Sequence, residues 1–200
     1  MIRPQLVLDI GGVLATNLSP LFWQLLAAES RVSEDVLYGE YKQQVSEQLW
    51  TGVISEEQFW NWVKAYAPLL HLEKCRGFIE RSLRPLPALA KVSEWSEAAD
   101  IHLLSNHLAA WVDPIVLSIK PYLKSLTISN EVGLKKPHPD IFAMVINKMQ
   151  AGSPVLFVDD QRKNTKQAAS LGWRTLLADE EGVWINEVIP ILKHISEKQE

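Results

Sequence analysis

Asp9 closes the apolar run Leu6-Val7-Leu8 and is followed, after Ile10, by Gly11 and Gly12. An apolar run without alternation is what a strand covered on both faces of an α/β sheet presents, and an acid at its C-terminal tip stands where such sheets open toward ligands. The two glycines let the chain turn sharply beside the carboxylate and bring main-chain groups close to a ligand. Asp9 is therefore a candidate nucleophile or metal ligand. Three later apolar runs also end in polar residues: Ser105-Asn106 after 101–104, Lys135-Lys136-Pro137 after 126–128, and Asp159-Asp160 after 155–158. Taken singly these have plainer readings, an Asp that opens a turn, a turn serine, a solvated lysine. In a parallel sheet, however, the tips share one edge, where two acids, a hydroxyl and a lysine can meet Asp9 in one crevice.

The elements that must hold these residues alternate. Strands are expected at 101–104, 126–128, 155–158 and 175–177 beside the first, separated by helices ending near 97 and spanning 109–119, 139–149 and 163–171, with a further amphipathic helix at 187–195. Strands spaced by helices imply parallel pairing with right-handed crossovers, hence an α/β, three-layer Rossmannoid arrangement around a parallel five-stranded sheet. Residues 17–84 break the alternation, because everything there reads as helix. Ser33 caps a helix to about 50, Ser55 and Gln58 form a capping box for one that closes after Tyr66 and before Pro68, and a third covers 73–83. Phe22, Trp23, Trp50, Trp60 and Trp62 concentrate aromatics here, chiefly to pack helix on helix. The expected division is a core of 1–16 and 85–200 and an inserted helical lobe of 17–84, with the rigid Arg84-Pro85-Leu86-Pro87 as a hinge.

Composition narrows the classes. With 200 residues, 47% of them hydrophobic, the chain supports one sizeable core and a small second lobe. A net charge of −4 without a basic run argues against nucleic acid as a partner. Cys75 is the only cysteine, so an internal disulfide is impossible and a cysteine zinc site is not expected. No secretory leader is expected ahead of the first strand, and no apolar run nears the ~20 residues of a membrane span. A cytoplasmic protein acting on small molecules is the expectation.

In its motifs the sequence resembles the haloacid dehalogenase-like hydrolase superfamily, mostly Mg-dependent phosphatases, over nearly its whole length. The first family motif lies on Asp9-Ile10-Gly11-Gly12-Val13, the second on Ser105 followed by Asn106, the third on the stretch from Gly133 to Phe142 with its lysine at Lys136, and the fourth on Asp159, Asp160 and Asn164. The resemblance implies that the helical lobe is a cap. It further implies Asp9 as a nucleophile that forms an aspartyl-phosphate, Mg²⁺ held by Asp9, the Gly11 carbonyl and Asp160, and phosphoryl oxygens held by Ser105, Asn106 and Lys136. Lys136 would also keep Asp9 ionised, and Asp159 and Asn164 would orient this shell. The substrate class it implies is a small phosphorylated metabolite.

One departure stands out. Where the family has a second aspartate, its general acid and base, this chain has Gly11. A carbonyl ligand survives that change, but an acid-base contribution of roughly 10²–10⁴-fold is lost unless another group such as His107 replaces it. The alternatives are thus a catalytically weak or non-catalytic phosphate- or partner-binding relative, and a 2-haloacid dehalogenase, which needs no metal and against which the paired acids count. His107 and His138 are expected as a helix-start and a loop residue, and Lys135 as solvent-facing.

Overall fold

The computed structural model describes residues 2–197. After strand β1 (Gln5–Leu8) come five helices, α1 (Leu21–Ser30), α2 (Glu34–Gln44), α3 (Ser46–Trp50), α4 (Glu56–Tyr66) and α5 (Leu72–Ser82). A 3-10 segment (Pro87–Lys91) leads into α6 (Val92–Ala98), β2 (Asp100–Ser105), α7 (Ala109–Ile119), β3 (Leu123–Ile128), the single turn α8 (Ser129–Val132), α9 (Pro139–Ile146), β4 (Val155–Asp159), α10 (Arg162–Ser170), β5 (Arg174–Leu177) and α11 (Val188–Glu197). The strands form one sheet in the order β3-β2-β1-β4-β5, and every neighbouring pair is parallel.

Side-chain alternation along the central strands sorts the core into two layers. Leu6, Leu8, Ile101, Leu103, Leu156 and Val158 belong to one cluster with Trp95, Ile115 and Leu192 of α6, α7 and α11. Val7, Leu104 and Phe157 point the other way, to Ile141, Phe142 and Val145 of α9 and Ala168 of α10. Both faces being covered, the inner strands can be apolar throughout. β3 begins three residues before the expected 126–128, because at the sheet edge Lys124 remains exposed and interrupts the apolar run.

The expected helix from Ser33 to about 50 is two helices. Val45 leaves helical backbone (φ −129°, ψ −15°), and both it and Ser46, which opens the second helix, are buried. The capping box at Ser55 forms with both of its bonds, at 3.2 Å and 2.8 Å. α9 stops at Ile146 rather than 149, its end tightening into i to i+3 bonds. The chain enters and leaves 17–84 through a paired neck: Thr16 N donates to Arg84 O (2.8 Å), Leu86 N to Leu14 O (2.9 Å), and Ala15 bridges Pro85. The aromatic residues of the five helices reach α7, where Trp111 meets Phe59 at 5.6 Å and Trp50 at 5.7 Å between ring centroids.

At the opposite edge of the sheet from the acids, His102 is buried between Gln5 Oε1 (2.8 Å) and Ser125 Oγ (2.6 Å). Burial lowers its pKa to about 4. Because this lies below the ordinary histidine value, His102 contributes stability that is complete above about pH 6.5 and is lost as pH falls toward 4. In urea unfolding at a series of pH values, the parent is expected to lose up to about 3 kcal/mol more than His102→Gln across that window.

Candidate active site

Asp9 sits one residue beyond β1, at the centre of the sheet's C-terminal edge, with 5% of its surface exposed. Its Oδ1 accepts from Ser105 Oγ (2.6 Å) and Ile10 N (2.7 Å), and its Oδ2 from Lys136 Nζ (2.7 Å). These use three of the roughly four acceptor directions of a carboxylate. The turn beyond Asp9 closes with Leu14 N and Ala15 N on Ile10 O and Gly12 N on Ala15 O. Gly12 is required there: its φ is +70°, and a Cβ would lie 2.4 Å from Asp160 Oδ2.

Lys136 is fully buried and joins two strand tips, since its Nζ also reaches Asp159 Oδ2 at 2.6 Å. Burial opposes the charge on this ammonium, but Asp9 and Asp159 together more than offset that, and its pKa is raised. Asp159 is held on its other side by Gln161 N (2.8 Å) and Asn164 Nδ2 (2.9 and 3.0 Å). Burial raises its pKa to about 6 despite Lys136. The side chain of Asn106, expected as a phosphate-binding residue, clamps the Lys136 backbone, accepting from its N–H (2.8 Å) and donating to its C=O (2.9 Å). Lys135 is half-buried in an ion pair with Glu47 of α3 rather than facing solvent. His138 is the exposed cap of α9.

Asp9, Asp159 and Asp160 offer oxygens within 4.8 Å of one another. With Lys136 alone to offset them, these three carboxylates leave a formal excess of two negative charges. Asp160 Oδ2 accepts from Asn17 Nδ2 (2.9 Å), whereas Oδ1 is buried without a hydrogen-bond partner. Burial, with the Asp159 charge added, raises its pKa. An orphaned carboxylate oxygen beside two other acids is what a divalent cation with oxygen ligands would satisfy.

The space beside Gly11 is not empty. A Cβ on Gly11 would lie 2.9 Å from Asn17 Oδ1 and 3.2 Å from His107 Nε2. His107 is buried edge-on to Trp50 (5.5 Å), and burial together with the Lys136 charge lowers its pKa to about 4, so the imidazole is neutral near pH 7. Nothing in residue types marked Asn17 for this place; only the neck brings it over Asp160. These groups open into a cavity of about 420 Å³ whose outer wall is Tyr38, Lys42, Ser46 and Trp50. Their regular i, i+4 spacing was the available sign that they share a face.

No protein-family model matches the sequence, and no curated protein does. Solved structures do. A predicted HAD-like family hydrolase from Porphyromonas gingivalis is 22% identical and superposes with a TM-score of 0.79 over 96% of this chain and 99% of its own. A HAD family enzyme from Bacteroides thetaiotaomicron, solved in complex with magnesium and inorganic phosphate, is 20% identical, with a TM-score of 0.75 over 89% and 96%. An L-2-haloacid dehalogenase is 21% identical, with a TM-score of 0.62 over 90% and 86%. The protein therefore has the haloacid dehalogenase-like fold, and the structures that share it are those of HAD-like hydrolases. No helix among the described residues is long and apolar enough to cross a membrane.

If Asp9 and Asp160 hold a cation, calorimetric titration with Mg²⁺ is expected to show one site, with affinity reduced more than about a hundredfold in Asp160→Ala, beyond the cost of disturbing a mere outer partner. An unchanged titration would move the cation elsewhere.

Proposed function

We propose that the protein is a Mg-dependent phosphatase of small phosphorylated metabolites, acting through an aspartyl-phosphate at Asp9 and lacking the usual general-acid aspartate at Gly11. The observation that carries this reading is Asp9 itself. Its carboxylate is locked at the sheet edge by Ser105, Ile10 N and Lys136, with one acceptor direction left, beside Asp160 with its orphaned oxygen. The similar enzyme solved with magnesium and inorganic phosphate supports the same chemistry.

Mg²⁺ would be held by Asp9, Asp160 and the Gly11 carbonyl, and when bound it offsets the repulsion between carboxylate and phosphate. Asp9 attacks phosphorus, the ester oxygen leaves, and water later hydrolyses the acyl phosphate, dividing one hard step into two. Lys136 holds the Asp9 carboxylate in the attacking position and keeps its third N–H for a phosphoryl oxygen, while Ser105, whose single O–H is on Asp9, would turn that donor to the phosphoryl group once it is bound. Asp159, Asn164 and the Asn106 clamp keep Lys136 in place. The helices of 17–84 act as a cap that excludes water, turning on the paired neck.

Two other readings have an observation behind them. Gly11 carries no carboxylate and His107 beside it is a neutral, buried imidazole, which favours a slow enzyme or a phosphate-binding relative without turnover. The similarity to a haloacid dehalogenase favours halide release, against which stand the three clustered acids. Turnover of p-nitrophenyl phosphate with and without Mg²⁺, set beside halide release from chloroacetate, separates all three. Mg-dependent phenol release supports the proposal, and its absence overturns it.

Asp9→Asn is expected to abolish that turnover, and activity within about threefold of the parent would remove Asp9 as nucleophile. An aryl phosphate, whose leaving group needs little protonation, should outpace an alkyl phosphate. Gly11 has no left-handed backbone, so Gly11→Asp is conformationally allowed but pushes on Asn17. The double variant Gly11→Asp/Asn17→Ala should raise alkyl phosphate turnover by about 10²-fold or more relative to Asn17→Ala. No gain in a folded double variant would show that the missing acid does not limit the rate.

A further inference from the structure

The cavity above Asp9 is more positive than its chemistry requires. Its walls carry Lys42, Lys135, Lys136 and Lys163 and, besides Asp9, no acid, although the chain as a whole has a net charge of −4. Lys136 is consumed by Asp9 and Asp159, and Lys135 by Glu47. Lys42 and Lys163 have no ion-pair or hydrogen-bond partner among the described residues, and both line the cavity, one from α2 and one from α10.

Position separates these two from the reacting centre. Along the wall Tyr38, Lys42, Ser46 and Trp50, it is Trp50 that touches His107, and His107 that borders Gly11. Lys42 belongs to α2, before the break at Val45, whereas Trp50 ends α3, so the lysine and the ring that meets His107 stand on different helices of the insertion. Lys163 stands in the first turn of α10, which holds no acidic residue. A cation at the positive end of a helix is electrostatically unfavourable alone, and an anion shared between that helix end and the lysine removes the penalty. A cavity of about 420 Å³ is also in the range that holds a whole small molecule rather than a phosphate alone.

We propose that Lys42 and Lys163 form a second anion subsite, which selects phosphate esters whose leaving group carries a further anionic group, a carboxylate or a second phosphate. The subsite rests on the phosphatase reading for its place in a reaction, but the binding it predicts can be measured without turnover. Since Lys42 belongs to the helical insertion and Lys163 to the sheet domain, a ligand held by both draws the two sides of the cavity together.

The test is calorimetric titration of the Asp9→Asn protein, in Mg²⁺ buffer, with glycerol 3-phosphate, 3-phosphoglycerate and propane-1,3-diol bisphosphate. At least one of the two doubly anionic ligands is expected to bind more than about tenfold tighter than glycerol 3-phosphate, and the tighter of the two tells carboxylate from phosphate. Adding Lys42→Ala and Lys163→Ala should shrink that ratio to within about twofold. Equal or undetectable binding of all three ligands, or a ratio that survives both replacements, overturns the subsite. Mg-dependent turnover of p-nitrophenyl phosphate by the parent, measured in parallel, reports on the phosphatase reading alone: turnover without a ligand preference sinks only the subsite, and a preference without turnover sinks only the phosphatase.

Discussion

Everything at the sheet edge depends on one buried ammonium. Lys136 Nζ lies 2.7 Å from Asp9 and 2.6 Å from Asp159, with its side chain wholly out of water and the Phe157 ring 5.6 Å away. A buried charge is tolerated only when paired and hydrogen-bonded, and here two carboxylates from two different strands provide that. The same lysine thereby fixes where Asp9 points, ties Asp159 to it, and adds to the burial that lowers the pKa of His107. Its own loop is secured by Asn106, whose amide bonds both backbone groups of Lys136. β1, the strand nearest Asp9, is flanked by β2 and β4, so the groups following those strands arrive beside the carboxylate without any long reach.

Electrostatic balance around this lysine shapes the rest of the site. Three carboxylates against one ammonium leave room for a cation, and the orphaned Asp160 oxygen marks the side from which it would be held. Gly12 makes that position available by having no side chain where Asp160 lies, while Asn17 of the neck ties the other Asp160 oxygen to the helical insertion. The neck is thus joined both to the main chain of the sheet domain and to its acid cluster.

The helical insertion does more than cover the cavity. Its aromatic cluster is continuous with the sheet domain through Trp111, and the pair of Glu47 with Lys135 adds a polar contact at the mouth. The break at Val45 turns α3 against α2 while keeping Tyr38, Lys42, Ser46 and Trp50 along one wall. That wall carries Lys42 and the aromatic surface of Trp50, which meets His107 of the sheet domain.

Sequence alone determined the α/β alternation, the five strands, the inserted helices and the polar strand tips, because these are written in apolar periodicity and in residue types at run ends. It also determined that Gly11 has no carboxylate. It did not reveal that Asn106 serves the Lys136 backbone, that Lys135 pairs with Glu47, or that His107 borders Gly11, since these contacts join residues far apart in the chain and leave no local pattern, nor that the turn after Gly11 brings Asn17 back beside it. β3 was legible only in part because an edge strand with an exposed lysine loses the apolar run of a central one. The order β3-β2-β1-β4-β5, which sets Asp9 between the serine and the acids, belongs to tertiary structure: strand pairing is chosen by packing over both faces of the sheet, and no single run of residues encodes its neighbours.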